Sequence, residues 1–478
     1  MKKTLTRGRM WWLAGLSVFL LFLGLYLFLY PGIKVAYELT TLDRETVNTD
    51  RFAFGVHRQL APRFEHWARK RLASGRAATH TTEDLVATEW PLFGSVFFLW
   101  ATESMQEAWE EDPSMSPTPP KEYAAGAIDA VADLLADPAH GKWVRDHWGD
   151  DYLHRENAFY RMLLIGGFTT HQRLTGSTEH LDVIRDQVET LSAEIEASPH
   201  GQLEDYPDEC YPADVLTAIA CILDADEILG TDHRAFAERA VRGFEGGILD
   251  DIGMVPFLAD ARSGMTIIPS RGSGNSYLCT FAPHVWPEHA EQWYELYDAE
   301  FWVEGRFVHG FREYQRTADN GEWEYADMDA GPVIGGFGMA SSAFGLGAAR
   351  ANGRFDHAYP LTAQMIAASW PLPDGTLLLP RILSKSVDAP MLGEACILFN
   401  MTRQPVVDTP PTTGGSIPPL AFGIVFLYWS AAALFIIPSV RLLLRFVGST
   451  KLIGRFWPKE ARLPMLHEGP DLEGHFSD

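Results

Sequence analysis

The sequence predicts an all-α protein strung between two membrane-crossing helices, and three observations predict it. Apolar residues recur at helical intervals through most of the middle of the chain. Glycine and proline fall where such segments should start and stop, while strand signals are few and short. Two long uncharged apolar runs stand near the two ends. At 478 residues and 46% hydrophobic, the chain is long enough for one large helical domain with appendages.

In chain order, Met10 to Tyr30 is apolar and carries no charge, and roughly 20 such residues match a bilayer core. A cleaved signal peptide is the alternative, but the run is long for one and no small-x-small cleavage site follows it before Tyr30-Pro31-Gly32. Lys34 to Leu72 reads as helical, then Glu83 to Glu110, with the proline-rich Asp112 to Pro120 as a loop. Helices are expected over Tyr123 to Leu135, Glu156 to Leu174 (stopped at Gly176), Glu179 to Ala197 (stopped at Pro199) and Pro212 to Leu229, which opens on proline and closes at Gly230. Further helices are expected over Ala235 to Gly247, His289 to Glu304 and Pro332 to Asn352, with short strands at Gly264 to Pro269 and Thr376 to Leu379. Small residues at Gly335, Gly336, Gly338, Ala340 and Ala343 should let that last helix pack closely. About ten to twelve helices without a fixed repeat fit helix pairs closed into a ring better than an open superhelix.

Residues 33–404 form the expected domain, 405–419 a linker rich in Pro, Thr and Gly, 420–446 the second span and 447–478 a tail. Basic residues flank both spans on their outer sides: Lys2, Lys3, Arg7 and Arg9 before the first; Arg441, Arg445, Lys451, Arg455, Lys459 and Arg462 after the second. Both termini should therefore be cytoplasmic and the intervening domain periplasmic or extracellular. The whole chain carries −24; residues 1–30 contribute +4 and residues 417–478 contribute +1, which leaves −29 between the spans. Such a surface repels nucleic acid, so that class of partner is excluded.

Four cysteines, Cys210, Cys221, Cys279 and Cys396, are too scattered for a disulfide framework or a zinc site. Cys210 lies among Asp205, Asp208, Glu209 and Asp214, which disfavour a thiolate nucleophile. No His-x-x-x-His, Cys-x-x-Cys or glycine-rich phosphate loop occurs, so no metal or nucleotide cofactor is expected.

The segment from Glu156 to Arg234 carries Glu156-Asn157, Tyr160, Leu174-Thr175-Gly176-Ser177, Glu194-Ile195, Pro199, Pro207-Asp208, Tyr211 and Gly230-Thr231-Asp232. In order and spacing it resembles the linalool dehydratase/isomerase family. Weaker echoes follow at Ala326-Asp327 through Ala343-Phe344 and around Glu394. The resemblance implies an (α/α)6 barrel with its site in the mouth of the inner ring. It also implies dehydration and isomerisation of a tertiary terpene alcohol without metal or organic cofactor. Where that family carries two cysteines this chain has Asp205 and Asp214, where it has a histidine this chain has Leu163, and its aspartate falls near Leu92.

Candidate chemistry gathers in three places. The loop Glu204 to Asp214 is the densest; Asp214 falls in the first turn of a helix, where the dipole favours a carboxylate, and Asp205 has no such support. If both face one pocket, one can act as acid and the other as base; helix capping is the structural alternative. Arg271-Gly272-Ser273-Gly274-Asn275 offers donors in what reads as a Gly-Ser loop, and Asp329 stands near the start of a small-residue helix. Glu394 lies in an otherwise apolar helix, where a carboxylate is costly unless paired. Asp205, Asp214 and Glu394 are thus the expected catalytic residues. Glu89, Tyr160, Tyr211, Arg271, Asn275 and Asp329 are the expected substrate-binding ones.

Three functions compete. The first is a membrane-tethered, cofactor-free dehydratase or isomerase of an alcohol that uses carboxylates. The second is a hydrolase of envelope glycans with paired carboxylates and stacking aromatics. The third is a non-catalytic scaffold, whose carboxylates would each be paired with arginine or a backbone donor. The bilayer is an expected partner, and an oligomer is compatible with the sequence.

Overall fold

The computed structural model describes residues 7–80, 85–316, 326–327, 330–385, 388–406 and 410–449. Asp329 lies outside the described residues, as do the basic residues expected at positions 2, 3, 451, 455, 459 and 462. The described residues are mostly helical, at 69%, and their strands are two to four residues long, so the all-α class holds. Two compact units separate, residues 1–30 with 427–478 and residues 31–426.

In the first unit, α1 (Arg7–Leu23) runs through a π-helical stretch, Gly24–Leu29, toward α2 (Tyr30–Thr41). It packs antiparallel to the later part of the terminal helix Pro419–Ser449: Trp11 meets Phe446 edge-on at 5.0 Å and Phe28 stacks on Phe435 at 5.4 Å. Gly24 makes the approach possible, since a Cβ there would lie 2.9 Å from Ile436 Cγ1. Phe19 and Leu434 point outward at 57% and 75% exposure, an apolar exterior suited to lipid rather than water. Among the described residues, Met10–Thr41 and Pro419–Val447 are the two helices long and apolar enough to cross a membrane.

The larger unit contains α3 (Asp50–Ser74), α4 (Leu85–Glu111), α5 (Pro120–Tyr123), α6 (Ala125–Ala136), α7 (Lys142–Trp148), α8 (Ala158–Thr175), α9 (Leu181–Ala197), α10 (Pro212–Leu229) and α11 (Arg234–Ala240). After strands β1 (Leu258–Ala259) and β2 (Thr266–Ile268) come α12 (Gly272–Val285) and α13 (Pro287–Phe301), then β3 (Trp302–Glu304) to β4 (His309–Phe311) and β5 (Ala326–Asp327) to β7 (Phe337–Gly338), with β6 at Gly331–Ile334. The described chain closes with α14 (Met339–Ala351), α15 (Phe355–Ser369), α16 (Leu378–Lys385), α17 (Leu392–Thr402) and α18 (Pro419–Ser449). The strands pair as antiparallel hairpins, β1 with β2, β3 with β4, and β5 with β6 with β7.

Helix α4 packs on α8, α8 on α10, α10 on α12, α12 on α14, α14 on α17, and α17 back on α4. Against these lie α6 on α8, α9 on α8 and α10, α13 on α12, α15 on α14, and α3 and α16 on α17. Rings from α4, α12, α14 and α17 fill the middle: Phe97 to Phe399 at 5.1 Å, Trp100 to Phe281 at 5.5 Å and Tyr277 to Phe344 at 5.2 Å. Gly166 admits Trp100, whose ring would lie 2.9 Å from an added Cβ.

Several expected boundaries move. Lys34 to Leu72 is interrupted at Leu42–Thr49, where Val47 takes φ +44°. The Gly-Ser segment read as a loop is the start of α12. Gly335 and Gly336, expected within a helix, have φ +62° and +88° and turn the β6–β7 hairpin; α14 begins only at Met339. The expected strand at Thr376 to Leu379 is reduced to a single bridge, Pro371 to Leu377.

Candidate active site

A cavity of about 600 Å³ opens at one end of the helical array. Phe159 of α8, Asp214 of α10 and Ser273 of α12 line it from the first turns of their helices, and Glu89 from the second turn of α4. Those four helices therefore run in the same direction, and the positive ends of their dipoles converge on the cavity. Trp90, Phe93, Phe257, Tyr277 and Phe344 form the aromatic part of the remaining wall, with His147, Tyr206, Glu209 and Tyr211 among its polar members.

Glu89 is positioned by an irregularity in α4. Pro91 has no N–H to offer the Ala87 carbonyl, and an Arg71 Nη2–H takes its place. Arg71 is itself fixed by Asp388 at 2.8 Å and by His140, whose Nε2 accepts from Arg71 Nε at 2.9 Å. Burial pushes His140 down to about 4, so its neutral ring can accept from Arg71 and donate to Asp137 at 2.9 Å. The hydroxyl of Tyr206 donates to Glu89 Oε2, and the Tyr206 ring lies 5.4 Å from Trp143.

The acidic loop is tied down by its own carboxylates. Glu156 and Asn157 turn with φ +44° and +58°, Glu156 accepts from the Glu204 N–H at 2.8 Å, and Asp208, with φ +66°, helps close the turn in which Glu209 N donates to the Tyr206 carbonyl at 2.8 Å. Asp205 Oδ1 accepts from the Phe159 N–H at 2.7 Å and Oδ2 from the Tyr211 N–H at 3.0 Å, which joins the starts of α8 and α10. Burial pushes Asp205 up to about 7 despite these two donors, with Glu156 and Glu209 adding to the rise.

Asp205 and Asp214 therefore have different fates. Asp214 lines the cavity; Asp205, 1% exposed, does not. Glu394 is likewise withdrawn: it is fully buried, accepts from the Leu377 N–H at 3.0 Å and from Arg381 Nε at 2.5 Å, and closes no part of the cavity. Neither of these two expected catalytic residues lines the cavity, and the oxygens of both accept from internal donors.

Among the expected binding residues, Glu89 and Tyr211 line the cavity, and Tyr211 donates to Glu209 at 3.1 Å. Tyr160 does not line it; its ring is buried 6.1 Å from Trp143, and its hydroxyl is where a Cβ on Gly141 would fall. Arg271 stands behind the wall, donating to Glu313 at 2.8 Å and lying over the Phe257 ring at 4.5 Å. Asn275 donates to the carbonyls of Val255 at 3.0 Å and Arg271 at 3.2 Å. Both hold Phe257 against α12 from outside the cavity. Cys210 is buried and pushed far up by burial and by Asp205, in keeping with the expectation that it is no nucleophile.

Tyr206, Tyr277 and Glu313 had no part in the sequence-based expectation. Among the described residues, the buried Tyr277 hydroxyl has no hydrogen-bond partner of good geometry, the neighbouring Thr217 hydroxyl being donated to the Ala213 carbonyl at 2.9 Å. Nothing local in the sequence marks Glu313, whose carboxylate gathers Arg271 and Ser273 from one stretch of chain and Ser341 from another. Compared with known proteins, the chain matches no family model and has no significant match among curated proteins.

Proposed function

We propose that this chain is a membrane-anchored, cofactor-free enzyme of the dehydratase/isomerase type, acting on a small, largely apolar alcohol with Glu89 and Asp214 as its acid–base pair. The supporting observation is the arrival of three carboxylates, Glu89 from α4, Asp214 from α10 and Glu209 from the loop before α10, in a cavity otherwise walled mainly by aromatic rings. Glu89 donates its proton as the substrate C–O bond breaks and water leaves. Asp214 takes a proton from the adjacent carbon, and the electron pair of that C–H bond becomes the double bond. Aromatic faces stabilise positive charge developing on carbon in between. Proton return from Asp214 to Glu89 through the released water resets the pair.

The architecture we infer is an (α/α)6 barrel, with α4, α8, α10, α12, α14 and α17 as the inner ring. The closed succession of neighbours and the second helix against each member support it. With the family resemblance over Glu156 to Arg234, this arrangement favours alcohol chemistry. The proposed placement has both termini in the cytoplasm and the domain on the opposite side, supported by the basic flanks of two apolar helices.

The full chain in detergent, given tertiary and allylic alcohols, should release alkenes or rearranged alcohols detectable by gas chromatography. Asp214→Asn and Glu89→Gln should each lower kcat at least about a hundredfold while helicity by circular dichroism stays unchanged. Full turnover in either variant ends the proposal. Release of sugars from envelope glycan, without turnover of alcohols, would replace it with the hydrolase reading.

A further inference from the structure

Where the second apolar helix enters the larger unit, a hairpin turn is bonded to its first residues. The Leu420 N–H donates to the carbonyl of Phe307 at 3.0 Å, and Phe307 belongs to the Gly305–Val308 connection between β3 and β4. Pro419–Val447 has 29 residues, about 44 Å of helix at 1.5 Å per residue, against a hydrocarbon core of about 30 Å. Its uncharged part, residues 419–440, is about 33 Å long and matches that core by itself, which puts its first residues at the boundary with the headgroups. Leu420 is the second residue of that helix, so the carbonyl bonded to it lies at headgroup depth.

The side chains at this depth suit such a layer. Phe307 is 58% exposed, a large apolar ring left uncovered by the protein. The guanidinium of Arg306 lies over that ring at 5.2 Å and, among the described residues, meets no carboxylate. Tyr37 and Arg51 form a second aromatic–arginine pair, 4.5 Å from guanidinium to ring centroid, near the end of the other apolar helix. Aromatic rings with arginine are the residues that settle at a bilayer surface, the ring among acyl–headgroup boundaries and the cation on phosphate.

We infer that the β3–β4 turn is a docking surface for the phospholipid headgroup layer, with Phe307 inserted at the boundary and Arg306 on lipid phosphate. This rests on the reading of Pro419–Val447 as a membrane span.

The test uses the full chain in vesicles of phosphatidylcholine and phosphatidylglycerol, with a small thiol-reactive fluorophore on single cysteines introduced as Phe307→Cys, Val183→Cys on α9, or Phe19→Cys within α1. Background labelling of the unsubstituted chain is subtracted. Lipids bearing a nitroxide near the headgroup should quench the label at 307 several-fold more than the label at 183, and aqueous iodide should show the reverse order. Adding Arg306→Glu should reduce the lipid quenching at 307 and its dependence on phosphatidylglycerol. If 307 behaves like 183 while 19 is quenched by lipid, docking is overturned and the spans stand. If 19 is also unquenched by lipid, the span reading fails and docking fails with it.

Discussion

The same residue type does opposite work on either side of one short loop. Asp205 is consumed by the N–H groups of Phe159 and Tyr211, whereas Asp214 lines the cavity. Titration behaviour also depends on burial at single residues. Glu103 of α4 accepts from the Thr170 hydroxyl at 3.1 Å and from Arg173 at 3.4 Å, with Glu107 and Asp224 near it, and burial pushes it up to about 7. A carboxyl whose folded pKa lies above its unfolded value binds its proton more tightly in the folded state, so its stabilising contribution is full below about 4.5 and is lost as pH rises through about 7. Glu103→Gln removes that titration and should flatten stability between those limits, measured by denaturant unfolding at a series of pH values. An unchanged slope would show that other groups dominate it.

At the scale of elements, α14 shows how glycine sets helix spacing. A Cβ on Gly345 would run into the Phe311 ring and reach 3.1 Å from the Tyr297 hydroxyl. Gly345→Val should therefore destabilise the domain by about 1 to 3 kcal/mol through overpacking, read as a lower thermal midpoint. A midpoint equal to that of the unsubstituted chain would mean α14 is free to shift. Glycines that the sequence suggested for close packing, Gly335 and Gly336, serve a hairpin with positive φ instead. Composition reveals small residues but not their use, because a glycine needed for φ and one needed for proximity look the same in a string of letters.

For the whole molecule, the placement of charge predicts topology. Two apolar helices with basic outer flanks leave the acidic segment of −29 between them, and the bias of arginine and lysine sets which side each end occupies. Tags at both termini of the chain in spheroplasts should resist external protease, and the intervening domain should be cleaved. Digestion of either terminal tag would overturn the two-span arrangement. The chain should also remain with the membrane under alkaline carbonate, because about 20 apolar residues per span outweigh electrostatic adhesion.

The amino-acid sequence alone determined the helical class, both apolar helices and the boundaries of α8, α9 and α10 to within a few residues, because those depend on local periodicity and on punctuation such as Gly176, Pro199 and Gly230. It also pointed to Asp214, Tyr211 and Glu89, all of which reach one cavity. Tertiary structure alone decided that Asp205, Glu394, Arg271 and Asn275 are spent on internal partners, and that Tyr206, Tyr277 and Phe257 join the site. Whether a polar side chain is available for chemistry depends on donors brought from remote parts of the chain, such as Arg381 for Glu394 and the Phe159 N–H for Asp205. Those partners meet only when the helices pack.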